Sequence, residues 1–346
     1  MRFEFYHAGL DNVPKLSVDG TVTNAVHFSH WQGNETPAEL KADTSTEIAL
    51  NLVASPKKND FTRGIELVTN NHFDTDGVLS VWTVLAGERA LRLREKLIPA
   101  AEAGDFSEFT NETAVRASIA IQGSDQPTPG EESSSPLAYL LAGENVTDDA
   151  TAYELVLPEV ERLLTKTDEY EPLWRSAWEK MAIAMESFER GASRVTEFAD
   201  ARLSLVALAP DVFSGNSGNE GFDPTRHSAP YTAISRYAKG ELFLITTPVK
   251  NGWAYRIDYP YYSWAETIVR PHIRRRDFGQ LVNELNQLER EGEGGWKLDN
   301  SEMTSAIKFL AGDGTLATSM LTPDEVAKIL STHLASKDER RGATLI

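Results

Sequence analysis

Ile65-Glu66-Leu67-Val68-Thr69-Asn70-Asn71-His72-Phe73-Asp74-Thr75-Asp76-Gly77 is the stretch on which the reading of this sequence turns. The apolar run Ile65 to Thr69 predicts a short strand. His72, Asp74 and Asp76 then alternate with other residues, and a period of two on extended chain places all three on one side. A strand that ends in such a cluster belongs to an α/β fold, because open α/β sheets gather their ligands at the carboxyl ends of their strands. One imidazole and two carboxylates suit a hard divalent cation, whose charge offsets the repulsion between the acids. Gly77 permits a tight entry into the following helix, whose N-terminus favours an anion. The plainer alternative is an Asx-rich turn, with the aspartates capping backbone amides and His72 satisfied by hydrogen bonds.

Outward from this point the chain reads as alternating elements. Arg2–Tyr6 and Ala25–Trp31 look like strands, and Thr36–Leu40 like the start of a helix. Thr44 to Ala54 reads as helix or strand, and Thr44-Ser45-Thr46-Glu47 has the spacing of a capping box. One long helix is expected from Leu79 to about Ala103, on the recurrence of Trp82, Leu85, Ala86, Leu93 and Leu97. A polar, Pro/Gly/Ser-rich segment at 122–137 suggests a mobile loop or a lid. From Glu159 to Arg194 the pattern is helical, with Trp174, Trp178, Met181, Met185 and Phe188 as a core-facing stripe. Leu203–Ala209, Glu241–Val249 and Trp253–Tyr259 read as strands, the last two joined by an Asn251-Gly252 turn. Glycine-rich loops fall at 215–226 and 292–295, and amphipathic helices at Phe278–Glu291 and Pro323–Ala335. The expected fold is therefore α/β, a mixed sheet with flanking helices and a helical insertion. Residues 1–195 form an α/β domain and 196–346 an α+β portion, with a soft boundary or none.

The 346 residues carry a formal charge of −18 with a pI near 4.9, a field that repels nucleic acid and anionic membranes. There is no cysteine, which removes thiolate chemistry, disulfides and Cys-based metal sites. The N-terminus lacks the basic and apolar regions of a signal peptide, and no apolar run approaches the roughly 20 residues that span a bilayer. These readings point to a soluble cytoplasmic protein with no stable nucleic-acid partner and no membrane partner. They leave the oligomeric state open.

The segment His72-Phe73-Asp74-Thr75-Asp76-Gly77-Val78-Leu79-Ser80 resembles the first motif of the DHH phosphoesterases, in which a strand leads into a His/Asp/Asp cluster and then a helix. That resemblance implies that His72, Asp74 and Asp76 bind a dinuclear metal site, with Mn²⁺ the expected ion and Mg²⁺ or Zn²⁺ as alternatives. It covers about 16 residues. The Asp-His-His that names the family is absent and the glycine-rich C-terminal motif has only a loose echo at Ala311–Thr315, so replacement ligands are required. Phe73–Leu79 also resembles the first motif of the haloacid dehalogenase-like phosphatases, which implies Asp74 as nucleophile and Asp76 as general acid. A wider likeness joins Ser29–Pro37, Asp43–Thr46 and Asn71–Gly77 to an uncharacterised bacterial family that brings no known activity.

Other residues could complete the site. His30 lies near the end of its strand, with Asp43 as its candidate companion; His227 follows a glycine-rich loop, and Asp258 ends a strand. Arg274, Arg275 and Arg276 close the one dense basic run and could grip phosphate oxygens through their forked guanidinium groups, although such runs often pair with surface acids. The leading expectation is a metal-dependent hydrolase of a phosphate ester or anhydride acting on a small anionic, phosphorylated ligand. A non-catalytic ligand-binding or assembly protein on a hydrolase-like scaffold is the alternative, with the dehalogenase-like phosphatase as a third reading.

Overall fold

The computed structural model describes residues 1–124, 135–210, 223–289, 294–300 and 303–342. The expected loops at 122–137, 215–226 and 292–295 fall largely outside these residues. The chain divides into two compact units. The first comprises Met1–Pro127, Glu131–Glu179 and Trp264–His272, and the second most of the remainder. The divide falls within a helix, somewhat before the expected boundary at residue 195, and a nine-residue segment returns to the first unit.

In the first unit the order is β1 (Arg2–Phe3), β2 (Lys15–Val18), β3 (Val26–Phe28), α1 (Ser45–Ala54), α2 (Lys58–Phe61), β4 (Leu67–Thr69) and α3 (Thr75–Ala86). There follow α4 (Glu88–Leu91), α5 (Arg94–Asp105), α6 (Glu112–Gln122), α7 (Pro136–Ala142), α8 (Asp149–Val156), α9 (Val160–Thr165) and α10 (Glu171–Glu189), the last running into the second unit. The strands form a parallel sheet in the order β1-β4-β2-β3. Every residue of β2 and β4 is buried, as parallel strands covered on both faces require. The helices α6 to α10 are the expected helical insertion.

Two sequence expectations change, and one left open is decided. The long helix at 79–103 is three helices, because Gly87 takes φ +59° and ends α3 before α4 and α5 begin. Thr44–Ala54 is helical, with the Thr44 hydroxyl accepting from the Glu47 amide at 3.2 Å as the capping box predicts. The strand expected over Ala25–Trp31 is only Val26–Phe28, so His30 stands past its end.

The second unit contains β5 (Arg194–Phe198), β6 (Leu203–Ala207), α11 (Pro224–His227), α12 (Tyr231–Tyr237), β7 (Leu242–Val249) and β8 (Gly252–Asp258). It continues with α13 (Gly279–Leu288), β9 (Gly294–Leu298), β10 (Ser305–Ala311) and α14 (Pro323–Gly342). Its mixed sheet runs β5-β6-β7-β8-β10-β9, parallel only between β6 and β7. Alternate residues Leu203/Leu205, Leu242/Leu244, Tyr255/Ile257 and Ile307/Phe309 point into one core with Leu281 and Leu285 of α13 and Val326 and Leu330 of α14. Asn251 sits in the β7–β8 turn at φ +70°, the conformation its Asn-Gly sequence suggests.

Candidate metal centre

The carboxyl ends of β2, β3 and β4 lie side by side in the first sheet, and each releases a chemistry-bearing residue. Asp19 follows β2, His30 lies just past β3, and the His72–Asp76 loop follows β4. Asn70 ties two of these ends together: its Nδ2 donates to the carbonyls of Val18 (3.0 Å) and Asp19 (3.2 Å), and its Oδ1 accepts from the His72 amide at 3.0 Å. Asp74 caps α3 by accepting from the Gly77 amide at 2.7 Å. At Gly77 an added Cβ would stand 2.6 Å from the Tyr153 hydroxyl and 2.8 Å from Asn70 Nδ2, so glycine lets these side chains close around the loop. The Asx-turn reading is thus correct for Asp74, and it does not exhaust the cluster.

Asp76, fully buried, accepts from two amides of the first turn of α1, Ser45 and Thr46, each at 2.7 Å. Its carboxylate therefore caps a helix other than its own. Asp19 accepts from the Ser45 hydroxyl at 2.9 Å. The two oxygens of Asp19 face different partners: Oδ1 lies 3.4 Å from His30 Nε2, and Oδ2 lies 3.3 Å from His72 Nε2. His30 Nε2 is also 3.7 Å from Asp76 and 3.2 Å from Asp105 at the end of α5, while His72 Nε2 is 3.1 Å from Asp74. Two sets result, Asp19/His30/Asp76 and Asp19/His72/Asp74, each with ligand atoms within 4.8 Å of one another and with Asp19 common to both.

The electrostatics follow from this crowding. Burial opposes a charge on His30, yet Asp105, Asp19 and Asp76 together push its pKa up to about 10. His72 is likewise pushed up to about 11 against its burial, by Asp74 and Asp19. Burial and then the charge of Asp19 drive Asp76 up to about 7. Asp105 is raised well above the carboxylate range by burial, whereas the contacts with His30 and His72 hold Asp19 below that range despite its burial. Asp19 Oδ2, Asp105 Oδ2 and His30 Nε2 are buried and make no hydrogen bond among the described residues. Buried carboxylates with uncommitted oxygens around imidazoles fit a divalent cation well, since carboxylate and imidazole are its ordinary ligands.

The surroundings fix the imidazoles. His30 Nδ1 bonds the Asp43 carbonyl at 2.5 Å, which leaves Nε2 for the cluster, and the ring lies against Phe106 and Trp264. Trp31 donates to Asp19 Oδ1 at 3.3 Å and lies against the His72 ring. His72 and Asp74 keep 29% and 27% of their side-chain surface exposed, so this is the side open to solvent. Gln122 holds the end of α5 against α3, accepting from the Thr75 amide at 2.6 Å and donating to the Gly104 carbonyl at 3.0 Å.

Of the residues singled out in the sequence, His72, Asp74, Asp76 and His30 come together. Asp43 does not join them as a ligand. Its carboxylate is engaged by the amides of Ile268, Val269 and Arg270 and by the Arg270 guanidinium, which also pairs with Glu102 and Glu108. His227, Asp258 and Arg274–Arg276 belong to the second unit, whereas every residue of the cluster belongs to the first. There His227 Nδ1 accepts from the Asp223 amide, and Asp258 pairs with buried Arg256. Asp19 and Asp105 are absent from the sequence reading. Leu16-Ser17-Val18-Asp19-Gly20 sets an Asp-Gly pair directly after a short apolar stretch, a signal that would have found Asp19. Asp105, at a helix end in an acidic chain, carries no such signal.

A model of the protein family DUF6687 matches residues 2–340, nearly the whole chain. The chain belongs to DUF6687, a family of unknown function. No curated protein and no solved structure matches this DUF6687 sequence.

Proposed function

We propose that this DUF6687 chain is a metal-dependent hydrolase of a phosphate ester or anhydride, with two divalent cations sharing Asp19. The observation that carries the reading is the placement of Asp19, whose two oxygens face two separate His/Asp groups. His30 and Asp76, with Asp105 beside them, would hold the buried cation, and His72 and Asp74 the partly exposed one. Mn²⁺ is the ion that the motif's resemblance to the DHH phosphoesterases implies, and Mg²⁺ and Zn²⁺ suit the same ligands. A bound cation lowers the pKa of its water and offsets phosphoryl charge. The chain's own contribution is orientation. Asp43 sets the ring of His30, Ser45 holds Asp19, and the α1 amides fix both oxygens of Asp76. With both oxygens so engaged, Asp76 is better suited to hold a cation than to donate a proton as a general acid. The substrate would approach past His72, Asp74 and Trp31.

Elemental analysis of protein purified without chelator, beside the Asp19→Asn variant, tests the reading. The parent should carry two equivalents of metal, and the variant should lose at least one while remaining folded by circular dichroism. Turnover of p-nitrophenyl phosphate, bis-p-nitrophenyl phosphate or pyrophosphate should fall by roughly a thousand-fold or more in the variant. Stoichiometric metal with no turnover of any of these would favour the non-catalytic binding protein. Unchanged metal content in the variant would remove the proposed centre.

A further inference from the structure

The second unit contains a groove of about 570 Å³ whose lining includes Tyr259, Arg275, Ser305, Leu298, Met303 and Asp299. The Arg275 guanidinium lies over the Tyr259 ring, 4.4 Å from its centre, and donates to the Ser305 carbonyl at 3.3 Å. No carboxylate lies within ion-pair distance of it among the described residues. Partial burial lowers the pKa of Arg275, an effect that Tyr259 and Asp258 only partly oppose. The Tyr259 hydroxyl accepts from the Arg276 amide at 2.9 Å, which fixes the ring beneath the guanidinium. The Ser305 hydroxyl is buried and has no hydrogen-bond partner among the described residues. Leu298 and Met303 remain 58% and 62% exposed and give the groove an apolar wall. Its acid, Asp299, is paired with Lys308 at 2.9 Å, so its charge is locally offset.

We infer that this groove binds an organic oxyanion, a carboxylate or phosphate head group on an apolar body, with Arg275 as the anchor and Ser305 as the adjoining hydroxyl. A guanidinium held flat by an aromatic ring is oriented for a forked contact with two oxygens, and it loses little side-chain freedom on binding. The apolar wall accounts for the body of the ligand, since small-molecule sites combine mostly apolar lining with a few fixed polar groups. The inference does not rest on the metal centre, because every residue it uses belongs to the second unit.

Calorimetric titration of the full chain, kept metal-free with chelator, tests it with phenylphosphonate and phenylacetate as probes. Saturable binding of either supports the assignment, and their relative affinities say which head group is preferred. Arg275→Gln should weaken that binding by roughly ten-fold or more. Ser305→Ala should weaken it by a smaller factor, and Asp19→Asn should leave it unchanged. Absence of saturable binding by the parent, or undiminished binding by Arg275→Gln, overturns the proposal. Equal loss in Asp19→Asn also overturns it, because that result would place the ligand at the acidic cluster.

Discussion

Asp19 adopts a left-handed backbone at φ +52°, a conformation that aspartate tolerates better than most residues. It turns the chain after β2 so that one carboxylate addresses both His30 and His72. Its neighbours determine how the metal-free protein responds to pH. Asp76 rises from 3.8 to about 7, His30 from 6.5 to about 10 and His72 from 6.5 to about 11. Each shift is upward, so between those limits the folded chain binds more protons than the unfolded chain and stability falls as pH rises. Chelated protein should therefore show a melting midpoint that declines from about pH 5 to about pH 9. Metal needs the same groups deprotonated, so the rise in midpoint on adding Mn²⁺ should grow over that range. Differential scanning fluorimetry across the range checks both trends, and a metal-induced shift that shrank with pH would contradict the ligand set. At this scale the sequence was legible where polar residues interrupt an apolar pattern, as at His72, Asp74 and Asp76. It was opaque at Asp105, whose place depends on α5 meeting α3 through Gln122.

Helices α1 and α3 meet at their N-terminal turns, where Asp76 of one satisfies two amides of the other. The proposed metal ligand is thus also a helix cap, and substitutions there separate the two roles. Asp76→Asn keeps one oxygen for the amides and should remain folded with reduced metal affinity. Asp76→Ala removes cap and ligand together and should cost about 1–3 kcal/mol of stability as well. Urea unfolding of the two variants distinguishes them. At Gly77, alanine would thrust a methyl group against Tyr153 and Asn70, and an expected loss of about 1–3 kcal/mol by the same measurement reflects that overpacking. Strand β2 shows why some elements escape a sequence reading. Its Lys15 looks like the polar end of a loop, yet the side chain is buried and its ammonium donates to the carbonyls of Leu10, Asp11, Val13 and Asn24. A central strand that begins with a lysine and lasts four residues has no clear periodicity. By contrast β7 and β8, longer and joined by Asn-Gly, announce themselves.

The molecule as a whole has two cores, and the proposed metal centre belongs to one of them. Hydrogen exchange with and without Mn²⁺ should show new protection in α1, α3 and the loop after β4, and little change in the strands of the second unit. Equal protection in both units would mean that they unfold together. The sequence boundary expected near residue 195 is close to the divide in α10, but composition gave no hint that Trp264–His272 rejoins the first unit. That segment is held by Asp43, so Asp43→Ala should destabilise the first unit by about 2–4 kcal/mol through three stranded amides and a partly unpaired Arg270. Chemical denaturation followed by exchange locates that loss. The return of this segment also sets an order of manufacture. On the ribosome, β1 to α10 emerge well before Trp264 and Arg270 do, so through that interval His30 lacks one of its aromatic walls and Asp43 lacks its amides. The acidic cluster is sealed only after the strands β5 to β8 have been made. Nascent chains released after residue 263 should carry all the proposed ligands and still hold metal poorly.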